Sequence, residues 1–216
     1  MAIVALQPNK TLPAYAPGQY VMLTIGKTEF PFSIAAFHKD QLELHVQVLS
    51  LQSPLHAFLS ATGQPWNISM PFGSAFLHEE VKQPTILLAG GSGIAPIRAI
   101  LQQMLALNWP ETIHLYWGVR HSRLLYLHEE LLSLAEQHSQ LKYIPVVSDV
   151  DTHWQGRKGL IHQSVLEDFG DMAPFCAYMA GPFVMSEKAR EAFGDKGMLT
   201  NAMFSDAFNL SQDEAS

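Results

Sequence analysis

Thr85-Ile86-Leu87-Leu88-Ala89-Gly90-Gly91-Ser92-Gly93-Ile94-Ala95-Pro96 is the stretch on which the fold turns. Its apolar run, Ile86 to Leu88, shows no polar alternation. That marks a strand buried on both faces, as in parallel sheets covered by helices. A glycine-rich turn follows, then a helical pattern from Ile94 to about Leu107. Two readings of the turn are open. It is either a tight strand-to-helix connection or a phosphate-binding turn. In the second case glycines let the backbone approach a pyrophosphate, and the helix N-terminus offers free N–H groups and the positive end of its dipole. Its last position holds Pro96, where the general dinucleotide fingerprint has Gly or Ala.

Downstream the same alternation repeats. Strands are expected at Ile113 to Trp117, Leu141 to Val147 and Cys176 to Ala180, with helices near Ser122–Gln137, His162–Phe169 and Phe183–Phe193. Residues 81–216 therefore read as an α/β domain with a parallel sheet. Upstream the chain is β-rich. Leu42-Glu43-Leu44-His45-Val46-Gln47-Val48 alternates with the period of a half-buried strand. Tyr20–Ile25 follows the turn Pro17-Gly18, and Ile3–Leu6 and Trp66–Met70 complete the set. A short helix fits Pro54–Ala61, with Ser53 as N-cap, Pro54 at the first helical position and Gly63 past its end. Residues 1–80 read as a small antiparallel β-barrel. The boundary falls around Phe76–Gln83, where His78-Glu79-Glu80-Val81-Lys82-Gln83 is polar enough for a linker.

Composition narrows the function. With 48% hydrophobic and 15% charged residues the chain is an ordinary globular one, expected in the cytoplasm. No apolar run reaches the length of a membrane span, and no leader pattern opens the sequence. A net charge of −7 argues against a nucleic-acid surface. The single cysteine, Cys176, excludes an internal disulfide and a four-cysteine iron–sulfur cluster on this chain. The 10 histidines form no His-Glu-x-x-His pattern, so no metal site is expected. The tail at Asp213-Glu214 is short and acidic, and frays at its end.

Other segments carry candidate chemistry. After Trp117-Gly118-Val119 no carboxylate stands where a ribose would be bound. Arg120 and Arg123 suit the 2′-phosphate of NADPH, or are surface arginines of a loop. In Phe30-Pro31-Phe32-Ser33-Ile34-Ala35 a hydroxyl beside an aromatic suits a flavin ring, and the same residues equally suit a barrel core. Gly181-Pro182-Phe183-Val184-Met185 lies past a buried strand, at the edge where ligands of open α/β sheets bind, and also serves as a plain helix start.

Taken in order, these segments resemble the ferredoxin–NADP reductase-like superfamily, and within it bacterial NAD(P)H:flavin reductases. Pro17-Gly18-Gln19-Tyr20 is similar to that family's strand start, Pro31 to Ala35 to its flavin motif, and Pro71-Phe72-Gly73-Ser74-Ala75-Phe76 to the segment closing the barrel. Gly90 to Pro96 is similar to its nicotinamide motif. Tyr116-Trp117-Gly118-Val119-Arg120, Gly181 to Met185 and the ending Phe204-Ser205-Asp206-Ala207-Phe208 fall where further family motifs belong.

The resemblance implies hydride transfer from NADH or NADPH to riboflavin, FMN or FAD, from nicotinamide C4 to flavin N5. It implies Ser33 as the catalytic hydroxyl at N5, and Tyr20, Pro31, Phe32, Ile34, His45 and Asp206 on the flavin side. On the nicotinamide side it implies Gly90, Gly91, Ser92, Gly93, Ile94, Pro96, Arg120, Gly181, Pro182 and Met185. Three departures sharpen the expectation. Phe30 stands where the family's motif has a phosphate-clamping Arg, so a flavin that exchanges as a substrate is expected. Ala180 replaces the Cys of a late Cys-Gly-Pro motif. The chain begins at what resembles the family's second barrel strand, which would leave an exposed sheet edge. The alternatives are a reductase that passes electrons to a separate protein and a family member that binds nucleotide without catalysis.

Overall fold

The computed structural model describes residues 1–208 except 39, 49, 51, 62–64 and 150–153, with backbone only at 37 and 38. The expected helix stop at Gly63 and the acidic pair Asp213-Glu214 lie outside the described residues.

The first half contains β1 (Ala2–Leu6), β2 (Tyr20–Ile25), β3 (Thr28–His38), β4 (Gln41–Val46), α1 (Pro54–Ser60) and β5 (Asn67–Phe72). They form one barrel-like antiparallel sheet in the order β1-β4-β3-β2-β5. Period-2 alternation decides which side chains go inside. Val21, Leu23, Phe32, Ile34, Leu42, Leu44 and Val46 fill the interior, with Leu55 of α1 closing one end. Ser53 caps α1 as its sequence suggests, its hydroxyl accepting the His56 N–H at 3.1 Å. Among the described residues β1 pairs with β4 alone, and Ile3 on it is 55% exposed.

The second half contains β6 (Thr85–Gly90), α2 (Ile94–Ala106), β7 (Ile113–Val119), α3 (His128–Gln137), β8 (Leu141–Val147), β9 (Arg157–Lys158), α4 (Ile161–Asp168), β10 (Cys176–Ala180), α5 (Phe183–Gly194) and β11 (Met203–Phe204). The sheet is parallel in the order β11-β10-β6-β7-β8-β9. β6 is buried along its whole length, which is why its sequence shows no alternation. Leu87, Leu115 and Tyr178 face one core, whereas Ile86, Leu88 and Tyr116 face the other.

Two features differ from expectation. The helix read across Ser122–Gln137 is a short 3-10 turn, Ser122–Leu124, followed by α3 from His128. The break lets Leu125 and Leu127 reach the core while Tyr126 points at the barrel. β9 and β11 are two residues each, too short to leave a period.

Candidate active site

Strand addition runs outward from β6 through β7, β8 and β9, then returns to the other side of β6 with β10. This reversal opens a crevice at the carboxyl edge of the sheet. The barrel closes over it and leaves a cavity of about 1140 Å³. Tyr20, Pro31, Ser33, Gln47 and Ala75 line it from the barrel. Gly90 to Gly93, Pro96, Gly118, Val119, Arg120, Tyr126, Gly181 to Phe183, Met185 and Asp206 line it from the other half.

The turn after β6 is built by close approach. Gly91 has φ +55°, and a Cβ added there would meet nothing within 4 Å. Gly93 has an ordinary φ of −60°, but a Cβ there would lie 2.1 Å from the Ala180 carbonyl oxygen. Only glycine lets the start of α2 lie against the end of β10. The Trp117 indole N–H holds the Gly91 carbonyl at 2.9 Å. The N-cap residues of this turn and of α2, Gly90 and Gly93, have no side chain to cap them, and both line the cavity, so the helix presents its positive end there.

On the barrel wall Tyr20 and Ser33 are direct cross-strand partners, with Pro31 one step along the same face. Tyr20 stacks on Phe72 at 5.7 Å. Burial, and then the neighbouring Asp206 carboxylate, push the Tyr20 hydroxyl pKa up, so it stays protonated. One oxygen of Asp206 accepts the backbone N–H groups of Ser74 at 2.7 Å and Ala75 at 3.0 Å. It thereby ties the segment after β11 to the turn after β5.

Four residues expected at the site do not line the cavity, the first two because of the same alternation. Phe32 and Ile34 point into the barrel core, opposite Pro31 and Ser33, so neither ring nor chain reaches the cavity. Ile94 is fully buried beneath α2. His45 is buried at the contact between the halves, with Nδ1 2.8 Å from the Tyr126 hydroxyl and Nε2 3.0 Å from Glu43. Phe30 shares the inward row and packs against the barrel core.

At the far end of the cavity Arg120 does not stand alone. Its Nε lies 3.7 Å from Asp149, just past β8. Asp149 is the carboxylate that the end of the neighbouring strand brings near the end of β7, and it pairs with Arg120. Phe183 lines the wall as part of the Gly181–Met185 segment, and Tyr126 and Gln47, which the sequence did not single out as site residues, line it too. Tyr126 sits in an irregular segment without periodicity, and Gln47 lies beyond the end of β4. Cys176 is buried against the Thr85 hydroxyl at 3.3 Å, and burial pushes its thiol pKa up. Among the described residues no three His, Cys, Asp or Glu side chains gather to hold a metal ion, and no helix is long and apolar enough to cross a membrane.

Residues 87–214 match the family model of the oxidoreductase NAD-binding domain. A probable flavin reductase of Aliivibrio fischeri is 40% identical over 202 residues, covering 90% of this chain and 86% of that protein. An NAD(P)H-flavin reductase of Vibrio harveyi is 36% identical over 217 residues, covering 95% and 91%. Among solved structures, an Amycolatopsis cytochrome P450 reductase superposes with a TM-score of 0.85 at 27% identity; the match covers 94% of this chain and spans 64% of that one. The FAD/NAD-binding domain of a nitric oxide dioxygenase from Vibrio cholerae shares the fold, with a TM-score of 0.78 at 16% identity, over 94% and 90% of the two chains. With a glycine turn at the sheet's switch point, a hydroxyl-bearing barrel wall facing it and these relatives along nearly its whole length, the chain belongs to the NAD(P)H-flavin reductase family.

Proposed function

We propose that the protein transfers a hydride from NADH or NADPH to a flavin that enters and leaves as a substrate. The observation that carries this reading is the composition of the cavity wall. The barrel side offers Tyr20, Pro31, Ser33, Gln47 and Ala75, neutral groups suited to a flat ring with polar edges. The arginines of the lining, Arg120 and Arg123, lie on the nucleotide half. A flavin phosphate would therefore find no guanidinium on its own side, and Phe30 is turned into the core.

When both are bound, the nicotinamide supplies the hydride and the flavin accepts it. The protein orients the two and keeps water out. The uncapped start of α2 and the open Gly91 suit a pyrophosphate. Met185 and Pro182 close over Gly90 and bound the nicotinamide side. Ser33, on the opposite wall, suits a hydrogen bond to the flavin nitrogen that gains charge.

Oxidation of NADH and NADPH followed with riboflavin, FMN and FAD in turn tests the reading. Riboflavin and FMN are expected to support turnover without any protein acceptor, and purified protein to lose flavin on gel filtration. Stoichiometric yellow flavin retained through the column, or turnover only with an added protein acceptor, would overturn it.

A further inference from the structure

One cluster of charge is not used by the site described above. Arg98, on α2 one turn beyond the glycine-rich turn, has a side chain nine-tenths buried between the two halves. Its Nε donates to Glu130 of α3 at 2.6 Å, and its Nη1 donates to Glu43 of β4 at 3.0 Å and to the Ala35 carbonyl of β3 at 3.4 Å. The same Glu43 oxygen meets Nε2 of His45, whose Nδ1 meets the Tyr126 hydroxyl. Tyr126 lies edge-on to Trp117 at 5.4 Å, and Trp117 holds the Gly91 carbonyl. From the strand of Ser33, hydrogen bonds through Arg98 lead to the turn at Gly91 along α2, and through Glu43, His45 and Tyr126 they reach Trp117 by an edge-on ring contact.

Burying a charge among carboxylates is a poor way to gain stability, since apolar side chains of the same volume hold two surfaces together as well or better. A guanidinium adds direction. Its planar fork fixes the angle and spacing of the groups it bridges, which an apolar contact does not. Here the bridged groups are the barrel strands and the helix that begins at the glycine turn.

We propose that Arg98 is a positioning residue for hydride transfer, holding the Ser33 face of the barrel at a set distance and angle from the Gly90–Gly93 turn. The inference rests on the proposed function. Hydride transfer demands close approach of two rings carried by different halves, so a small change at this joint is felt in the rate before it is felt in affinity.

The test is single-turnover hydride transfer, with C4-deuterated and ordinary NADH, in the wild type, Arg98→Lys and Glu130→Gln. Lys keeps the charge but has a single head and no planar fork. Glu130 is partly exposed, so its variant reports even if Arg98→Lys fails to fold. Arg98→Lys is expected to slow transfer at least tenfold and Glu130→Gln at least threefold. NADH dissociation constants should move less than threefold, and the deuterium effect on steady-state turnover should rise. A combined variant should lose less than the product of the two. Wild-type transfer rates in folded Arg98→Lys or Glu130→Gln, or losses confined to affinity or melting temperature, would overturn the proposal. Failure of the wild type to oxidise NADH with any free flavin would overturn the function itself instead.

Discussion

Gly93→Ala separates the two things the glycine turn does. The new Cβ would lie 2.1 Å from the Ala180 oxygen and 2.4 Å from the Ala180 carbonyl carbon, where ordinary contact begins at 3.4 Å. All the crowding atoms are backbone, so no rotamer relieves it, and the start of α2 must part from β10 by about 1.3 Å. Overpacking of this kind costs roughly 1–3 kcal/mol. For a chain of this size that lowers Tm by about 2–12 °C. A shift of about 1 Å in groups that orient a reactant costs on the order of 10²-fold in rate. Gly93→Ala is therefore expected to reduce kcat/KM for NADH by about two orders of magnitude in protein that remains folded. Gly91→Ala is the control. It meets no atom within 4 Å but has φ +55°, so it costs about 1–2 kcal/mol of backbone strain while leaving the helix in place. Its Cβ would enter the open space assigned to the pyrophosphate, so the loss is expected in KM for NADH, with kcat at saturating NADH within about threefold of wild type. The assay is NADH oxidation at saturating FMN, with melting curves on the same samples. Gly93→Ala within threefold of wild type would refute the reasoning, because it would mean that the close approach of α2 and β10 does not set the nucleotide's position.

Three further outcomes follow from the same geometry. Ser33→Ala is expected to lower kcat with riboflavin or FMN by about 10–100-fold, as a hydrogen bond formed in the transition state is lost; unchanged turnover would remove Ser33 from the chemistry. Asp149→Ala releases Arg120 from its carboxylate and is expected to raise the NADPH-to-NADH ratio of kcat/KM by about five- to tenfold, measured by parallel titration of the two nucleotides. Burial lowers the pKa of His45, His114 and His162 below the ordinary 6.5, so the folded protein keeps them neutral while the unfolded chain takes up protons. Stability from this source is full above pH 6.5 and declines as pH falls toward the folded values. Tm should be level from about pH 8 to 7 and drop as pH falls below about 6.5, with a shallower drop in His114→Gln; a pH-independent Tm would exclude the effect.

The glycine turn was legible because strand, turn and helix are contiguous, and each leaves a local mark in residues 85–107. The β2–β3 face was legible too, but only once alternation was applied through it. Phe32 and Ile34 then follow Val21 and Leu23 inward, and Tyr20 and Ser33 remain outside together. His45 could not be placed from sequence, because what buries it is Tyr126, 81 positions away. The Arg98 joint gathers Glu43 and Glu130 from 55 and 32 positions away, and no spacing rule reaches across two halves of a fold. Asp149 was missed for a simpler reason. No carboxylate follows β7 in the chain, whereas the parallel register with β8 brings the end of the next strand, and Asp149 just past it, beside Arg120.

The Asp206 staple has a consequence for synthesis. Ser74 and its carboxylate partner are 132 positions apart, so on the ribosome the barrel waits for that partner. At translation speeds of about 5–20 residues per second the wait is roughly 7–26 seconds. Through it the Ser74 and Ala75 amides lack the carboxylate that accepts them in the folded protein. This tie between the segment after β11 and the turn after β5 is thus the last part of the chamber to become possible, since every other lining residue named above precedes Asp206 in the chain.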